Sequence, residues 1–118
     1  MPDRKNDCIF CKIVNKEIPV RLEYEDNNIA AFSDKNPQAP VHMLIVPKTH
    51  IPKIHDAGEK DAKVLGEMLL AAKNIAVKAG ISESGYRLVI NCGRHGGQLV
   101  DHLHLHLLGG RPFHWPPG

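Results

Sequence analysis

The segment Asp101-His102-Leu103-His104-Leu105-His106-Leu107-Leu108 carries a histidine at every second position. Successive side chains on a β-strand point to opposite faces of the sheet, so this pattern predicts a strand with imidazoles on one face and leucines toward the core. Histidine has an unperturbed pKa near neutrality, so such a row can bind a metal, move protons or attack an electrophile. The alternative interpretation is an exposed polar face that happens to be rich in histidine.

Length and composition predict one ordinary globular domain spanning residues 1–118, with residues 1–7 flexible. Hydrophobic residues make up 42% of the chain and charged residues 24%, and the net charge of +2 is too small to favour nucleic acid or a membrane surface as a partner. The polar N-terminus lacks the apolar segment of a signal peptide. Three cysteines, an odd count, argue against a disulfide framework, so a cytoplasmic location is expected.

Hydrophobic periodicity and turn residues predict an α+β fold, a mostly antiparallel sheet of about five strands with one long helix and one short N-terminal helix. Apolar residues at helical spacing indicate the long helix over residues 60–79, ended by Gly80. The short helix is predicted at residues 9–15, and residues 111–118 form an extended tail. The predicted strands are residues 20–25, 28–33, 41–47, 86–91 and the histidine segment.

A glycine-rich loop, residues 92–97, directly precedes the histidine segment. Gly93, Gly96 and Gly97 allow the backbone to approach a ligand closely, and amides in such a loop can point at an anion. An imidazole a few residues later would face the same anion, which suits attack on phosphorus through a covalent intermediate that water resolves. His104, with a histidine on either side, is the nucleophile that this arrangement favours.

The segment from His102 to Leu108 is similar to the histidine-triad motif, His-φ-His-φ-His-φ-φ with φ apolar, and the match is complete. The resemblance to the Hint branch of that family covers nearly the whole chain, through residues 34–42, 45–48, 91, 96–98, 108–111 and 114–118. It implies a dimerising domain of the histidine-triad fold that binds purine nucleotides and uses no organic cofactor. The implied reaction is cleavage of the P–N bond of AMP or GMP phosphoramidates through a nucleotidyl-histidine intermediate.

The resemblance also implies roles for individual residues. His104 matches the nucleophile, His106 a phosphate-oxygen contact and His42 a histidine that supports the triad. Asp34 matches a carboxylate that accepts hydrogen bonds from both ribose hydroxyls. For the apolar residues assigned to the purine, core packing is the alternative. The remaining substrate positions are Asn91, Gly97 and Gln98 at the phosphate, Phe10, Ile13, Ile18 and Phe32 around the purine, and Trp115, acting across the homodimer.

Two positions depart from the pattern of the family. Leu99 stands where animal Hint proteins have a serine thought to interact with the leaving group, so hydroxyl assistance from this position is lost. Lys35 stands where the family often has an apolar residue, although its stem can still pack while its ammonium reaches solvent. Leaving-group preference is the property that these departures affect.

The pair Cys8-Ile9-Phe10-Cys11 has the spacing of metal ligands. Redox chemistry, chance, or burial as small hydrophobic residues are alternatives for the two cysteines. A metal site needs two more ligands, for which His50 and His102 are candidates. The set resembles the structural zinc ligands of several bacterial histidine-triad proteins, which implies a structural zinc held by Cys8, Cys11, His50 and His102.

Three other functions compete with the phosphoramidase interpretation. The three histidines of the segment would hold a catalytic metal in an enzyme of another class, but this needs an open coordination position and usually a nearby carboxylate. A non-catalytic nucleotide-binding or regulatory module would keep the pocket and need no nucleophile. A dinucleoside polyphosphate hydrolase of the same superfamily is the third alternative.

Overall fold

The computed structural model describes residues 5–118, and within them five strands form one antiparallel sheet in the order β1-β2-β3-β5-β4. The α+β class and the antiparallel sheet with one long and one short N-terminal helix are confirmed. Single 3₁₀ turns at residues 54–56 and 59–61 precede the long helix. The elements are α1 (Ile9–Val14), β1 (Tyr24–Glu25), β2 (Ile29–Ser33), β3 (Val41–Pro47), α2 (Ala62–Lys78), β4 (Tyr86–Val89), α3 (Gly93–Gly96) and β5 (Leu105–Gly109).

The two faces of the sheet bury different partners, because side chains alternate along each strand. On one face, Met43, Ile45 and Leu107 pack in a core with Met68 of α2. On the other face, Leu44 packs in a second core, formed with residues of α1 and β2. The histidine row therefore lies on the side of the sheet that α1 covers, away from the long helix.

Two predicted strands begin three or four residues later than the sequence pattern indicates. Of residues 20–25, only Tyr24 and Glu25 pair with β2. Strand β5 begins at Leu105, so His102 and His104 precede it. Continuing the β3–β5 register past the Ile45–Leu105 pair would bring residues 103 and 104 opposite residues 47 and 46. Pro47 has no N–H to offer a ladder, so this segment forms other hydrogen bonds, among them one from the Leu103 N–H to the Ile51 carbonyl at 2.6 Å.

Smaller differences lie around the glycine-rich loop. Strand β4 ends at Val89 rather than at residue 91, and the loop contains the single-turn helix α3. Helix α2 begins two residues later than predicted and ends one residue earlier. No helix within residues 5–118 is long and apolar enough to span a membrane.

Both chain ends contact the domain where the structure describes them. The predicted flexibility of residues 1–7 falls partly on residues 1–4, which lie outside the described residues, whereas residues 5–7 form a turn closed by the Cys8 N–H donating to the Lys5 carbonyl at 3.1 Å. In the tail, Arg87 and Arg111 place their guanidinium carbons 5.3 and 4.2 Å from the centre of the Phe113 ring. The tail thus docks on β4 through cation–π contacts.

Candidate active site and metal centre

A cavity of about 690 Å³ opens on the sheet face opposite α2, a volume typical of sites for small ligands. Ten of the twelve predicted catalytic and substrate residues line it: Phe10, Ile13, Ile18, Phe32, Asp34, His42, Asn91, Gly97, His104 and His106. The cavity has an apolar end and a polar end. Residues from α1 and β2 form the first, and histidines with Asp34 form the second.

The ring of His104 is held by a hydrogen bond to the backbone of His102. Its Nδ1 lies 2.6 Å from the carbonyl oxygen of His102. Because a carbonyl can only accept, Nδ1 carries the proton and Nε2 keeps its lone pair. His104 is 6% exposed, and its ring lines the cavity wall. A buried neutral imidazole with a free Nε2 is the form required of a nucleophile.

A second hydrogen-bond chain orients His106. The Gln38 N–H donates to Nδ1 of His42 at 3.0 Å, so the His42 proton lies on Nε2. That Nε2 lies 2.9 Å from Nδ1 of His106 and donates to it. His106 is then left with an N–H at Nε2, a donor suited to an anionic oxygen. His104 and His106 therefore present opposite functions, one a lone pair and the other a proton.

The surroundings of His42 and His106 favour the neutral form of both rings. Burial is the main reason that the pKa of His106 is lowered to about 4; the neighbouring His104 and His42 act in the same direction and Asp34 in the opposite one. The pKa of His42 is also lowered, chiefly by burial, with Asp34 again acting in the opposite direction. Neutral rings at pH 7 are the state in which the hydrogen-bond chain above is intact.

Asp34 lies where β2 ends, at the polar end of the cavity. Its N–H donates to the His42 carbonyl at 2.9 Å, and its Oδ1 accepts the Asn36 N–H at 2.9 Å in an Asx turn. Its Oδ2 lies 3.5 Å from Nε2 of His42. The carboxylate is thus fixed at the cavity wall and half-buried, with its oxygens able to accept further hydrogen bonds.

Two predicted substrate residues lie outside the cavity wall. The Gln98 side chain accepts the Gly93 N–H at 2.9 Å and donates to the Pro52 and Val100 carbonyls at 2.7 and 2.9 Å. It therefore holds the loop around Gly97 in place. Trp115 is 83% exposed and does not line the cavity of its own chain. A role for Trp115 across a dimer stays a prediction.

The apolar end is built from residues that belong to the core and to the cavity at once. The Phe10 and Phe32 rings pack edge to face with centres 5.5 Å apart, and Phe10 meets the His104 ring at 5.2 Å. Ile13 is buried in the same cluster. Core packing and ligand contact, which the sequence left as alternatives, are compatible for these side chains.

Sequence reasoning missed part of the wall. The sequence could have identified Leu44, because it lies two residues after His42 on β3 and its side chain therefore points to the same face of the sheet. In the register of the sheet, Leu44 pairs with His106. Lys35 and Leu99, which depart from the family pattern, also line the cavity. The other residues not predicted as site residues are Ile9, Val20, Ser33, Asn36, Gln38 and Val100.

The four predicted metal ligands converge on one point behind His104. Their donor atoms lie within 4.8 Å of one another. Nδ1 of His102 lies 3.4 Å from Sγ of Cys8 and 3.2 Å from Nδ1 of His50, and Sγ of Cys11 lies 3.3 Å from the same His50 atom. A tetrahedron with zinc–ligand bonds of 2.0–2.3 Å has edges of about 3.3–3.8 Å, so the donor set fits this metal.

The orientation of His102 also fits a metal ligand. Its Nε2 donates to the Pro47 carbonyl at 2.8 Å, which leaves the lone pair on Nδ1 facing the two cysteines. The side chain is fully buried, and burial lowers its pKa to about 4. These residues place a potential metal site behind His104, outside the wall of the large cavity.

A second group of potential ligands lies inside the cavity, formed by Asp34, His42 and His106. Both ring nitrogens of His42 are already hydrogen-bonded, since Nδ1 accepts the Gln38 N–H and Nε2 donates to Nδ1 of His106. The geometry thus favours a hydrogen-bonded pair here over a catalytic metal.

Comparisons with known proteins identify relatives of this chain. Residues 7–112 match the family described as scavenger mRNA decapping enzyme C-term binding. The chain is 54% identical to an uncharacterized HIT-like protein of Synechocystis, over 95% of this chain and 97% of that one. It is 49% identical to the purine nucleoside phosphoramidase of Escherichia coli K12, over 90% of this chain and 89% of that one.

The fold has close neighbours among solved structures. A HIT family hydrolase from Legionella pneumophila superposes with a TM-score of 0.93 at 54% identity, covering 95% of this chain and all of that one. A HIT family hydrolase from Clostridium thermocellum superposes with a TM-score of 0.88 at 48% identity, covering 91% and 93%. With the histidine segment, the cavity and these relatives in agreement, the chain belongs to the histidine triad (HIT) family and is one of its hydrolases.

Proposed function

We propose that this protein hydrolyses the P–N bond of purine nucleoside 5′-phosphoramidates through a nucleotidyl intermediate on His104. The observation that carries the proposal is the hydrogen bond from Nδ1 of His104 to the His102 carbonyl. It leaves Nε2 of His104 unprotonated, with its lone pair available in a cavity of nucleotide size. The 49% identity to a purine nucleoside phosphoramidase supports the same class of substrate. In this proposal, the apolar end takes the purine and Asp34 accepts the ribose hydroxyls.

The reaction proceeds in two displacements. Nε2 of His104 attacks phosphorus while the P–N bond breaks, and the leaving nitrogen keeps the bonding electrons, takes up a proton from solvent and leaves as the amine. The N–H at Nε2 of His106 stabilises the charge that develops on the phosphoryl oxygens. Water then attacks phosphorus and releases a proton to solvent, the P–Nε2 bond breaks with its electrons returning to the imidazole, and the nucleoside monophosphate leaves with His104 restored to its neutral form.

The decisive test is detection of the intermediate. Mass spectrometry of protein quenched during turnover of an AMP phosphoramidate should find one added adenylyl group on the peptide that contains His104. The His104→Ala variant should show no adduct and lose turnover by about three orders of magnitude or more. Nucleotide binding without turnover or adduct would instead identify a non-catalytic nucleotide-binding module, and preferential cleavage of diadenosine polyphosphates would identify the other hydrolase class.

We further propose that Cys8, Cys11, His50 and His102 hold a structural zinc ion. The proposal rests on the donor spacing and on the His102–Pro47 hydrogen bond. Four protein ligands close the coordination shell, so the ion would cross-link the start of α1 to the histidine segment without an open position for catalytic water. Elemental analysis should find one zinc per chain, and the Cys11→Ser variant should contain much less.

We propose a homodimer as the working assembly. Helix α2 exposes Leu69, Leu70 and Val77, and the edge strand β4 exposes Leu88. Strand edges and apolar helix faces are surfaces that a second copy can cover. Light scattering coupled to size exclusion should give twice the 13.1 kDa chain mass, and a concentration-independent monomer would refute the dimer.

A further inference from the structure

The backbone of Gln38 forms hydrogen bonds on two sides, and the two bonds lead to different parts of the molecule. Its N–H donates to Nδ1 of His42 at 3.0 Å, which begins the hydrogen-bond chain that ends at His106. Its carbonyl accepts a hydrogen bond from Nε of Arg111 at 3.1 Å. Arg111 is therefore joined to the histidine pair by a continuous series of contacts, although it does not line the large cavity.

The register of the sheet brings the start of the tail beside the loop that carries Gln38. Val41 at the start of β3 pairs with Gly109 at the end of β5, so the residues after Gly109 approach the loop before β3. Gly110 has a φ of +94°, and a Cβ atom built on it would lie 2.8 Å from Cβ of Pro40. Glycine permits both this backbone conformation and this close approach, so the position of Arg111 follows from the fold.

The guanidinium of Arg111 is held in place by the tail itself. Its central carbon lies 4.2 Å from the centre of the Phe113 ring, and its Nη1 donates to the Pro112 carbonyl at 3.0 Å. Stacking on an aromatic ring and a second hydrogen bond restrict the freedom that a long, exposed side chain otherwise keeps. The Nε–H is thus directed at the Gln38 carbonyl.

The direction of the Gln38 N–H decides which tautomer His42 adopts. While that donor faces Nδ1, the His42 proton lies on Nε2 and points at Nδ1 of His106. If the His42 proton moved to Nδ1, its Nε2 would become an acceptor, and the His106 proton would have to move to Nδ1 to face it. His106 would then present a lone pair to a phosphoryl oxygen instead of an N–H. The two rings therefore change tautomer together.

We propose that Arg111 is a positioning residue for the histidine pair. By holding Gln38 at its carbonyl, Arg111 keeps the Gln38 N–H on His42 and so keeps the proton of His106 on Nε2. The inference rests on the proposed function, because that proton affects the rate by stabilising charge on the phosphoryl oxygens. Arg111 lies outside the cavity wall, so its effect on the rate comes through the tautomers of the two histidines.

The direct test measures the tautomers of the two rings. Long-range ¹H–¹⁵N NMR distinguishes a ring nitrogen that carries a proton from one that has a lone pair, and His42→Gln and His106→Gln assign the signals. The wild type should show Nε2–H on both rings. Arg111→Met keeps an unbranched stem and removes every donor, so both rings should populate the Nδ1–H form. Asp34, with Oδ2 3.5 Å from Nε2 of His42, favours the wild-type tautomer, so the expected change is a partial shift.

Arg87→Met is the matched control. Arg87 also carries a positive charge, also lies over the Phe113 ring, at 5.3 Å, and also holds the tail, through a hydrogen bond from Nη2 to the His114 carbonyl at 2.8 Å. The hydrogen bond to Gln38 comes from Arg111 alone among the two arginines. Arg87→Met should therefore loosen the tail and leave the tautomers of both histidines as in the wild type.

The kinetic test uses an AMP phosphoramidate as substrate and adenosine as a ligand without phosphate. Arg111→Met should lower kcat about threefold to tenfold, the effect of one hydrogen bond, and Arg87→Met should lower it less than twofold. The dissociation constant of adenosine should change less than twofold in both variants. Asp34, the proposed ribose contact, lies on the same loop as Gln38, so a general loosening of that loop would weaken adenosine binding.

Wild-type tautomers in Arg111→Met, equal changes in the two arginine variants, or weaker adenosine binding by Arg111→Met would overturn the role of Arg111 and leave the proposed function intact. If the wild type does not cleave the phosphoramidate, the proposed function is wrong, whereas the NMR comparison still decides whether Arg111 sets the tautomers. Arg111 is exposed, so Arg111→Met removes no core contact and its thermal unfolding curve should stay close to that of the wild type.

Discussion

Nδ1 of His104 lies 2.6 Å from the backbone carbonyl oxygen of His102, and the side chain of His102 in turn faces Cys8 and His50. One residue therefore takes part in two sites: its carbonyl sets the tautomer of the proposed nucleophile, and its imidazole belongs to the candidate metal centre. The histidine row contains three different environments. This division predicts that substitutions two residues apart will have different consequences.

His104→Ala and His102→Ala should separate chemistry from metal binding. We expect His104→Ala to abolish turnover while it retains the metal content of the wild type. His102→Ala should lose most of the metal and about 3 kcal/mol or more of stability, because it removes a fully buried ligand and leaves a cavity. The measurements are elemental analysis and urea unfolding of both variants. Equal metal loss in the two variants would contradict the assignment of His102 as the ligand.

Removal of the metal should weaken nucleotide binding as well as stability. Cys8 and Cys11 belong to the candidate metal centre, whereas Phe10 between them lines the cavity and meets the rings of both His102 and His104, at 5.8 and 5.2 Å. Loss of the metal should loosen this wall and raise the dissociation constant of AMP. Because coupling between the affinities of two sites is reciprocal, AMP should also raise the share of metal that stays on the protein at equilibrium with a chromogenic chelator.

The effect on AMP affinity is measured by calorimetry of AMP binding to the metal-loaded and the stripped protein. Circular dichroism confirms that the stripped protein is folded. A control is His55→Ala, a histidine that belongs to neither group of potential ligands. Identical AMP affinities in the loaded and stripped forms, with no effect of AMP on the equilibrium share of metal that the chelator removes, would show that the two sites are independent.

The sequence predicted this site well where residues alternate along a strand and less well where backbone geometry intervenes. The strand Val41–Pro47 follows from its continuous apolar, β-branched run, and the inward side of Leu105 and Leu107 follows from period-two patterning. The late start of β5 did not, because it depends on Pro47, a residue distant in sequence that denies a hydrogen bond to the segment opposite. The function of Gln98 was also hidden, since its loop contacts are made with Pro52, far away along the chain.

The stability of the protein should fall as the pH falls from about 6.5 toward 4. Burial lowers the pKa of His106 in the folded state to about 4, while the unfolded chain keeps a value of about 6.5, so between these values the unfolded state binds more protons. Stability therefore rises with pH across this window and is fully present above it. His106 contributes at most about 3 kcal/mol to the change, by the linkage between pKa and folding.

Urea unfolding of the wild type and of His106→Gln at several pH values between 4 and 7.5 isolates this contribution. Other titrating groups affect both proteins, so the difference between the two curves reports on His106. The variant should show the smaller loss of stability on acidification. Parallel curves for the two proteins would mean that His106 titrates alike in the folded and unfolded states.

Asp34→Asn should weaken nucleotide binding specifically through the ribose. The carboxylate is held at the cavity wall by its Asx turn with Asn36, so its oxygens are oriented before a ligand binds. An amide offers one acceptor oxygen in place of two and carries no charge, and hydrogen bonds to a charged group are worth about 1.5–3 kcal/mol. The dissociation constant of AMP should therefore rise about tenfold or more.

The matched ligand for this variant is 2′,3′-dideoxy-AMP, which lacks both hydroxyls. It should bind the wild type more weakly than AMP does, and Asp34→Asn should change its affinity little. The carboxylate also lies 3.5 Å from Nε2 of His42 and raises the pKa of that histidine, so a general disturbance of the histidine pair is the competing explanation for weaker binding. That disturbance would weaken AMP and the dideoxy nucleotide alike, because both carry the same phosphate, whereas loss of the ribose contact weakens AMP alone.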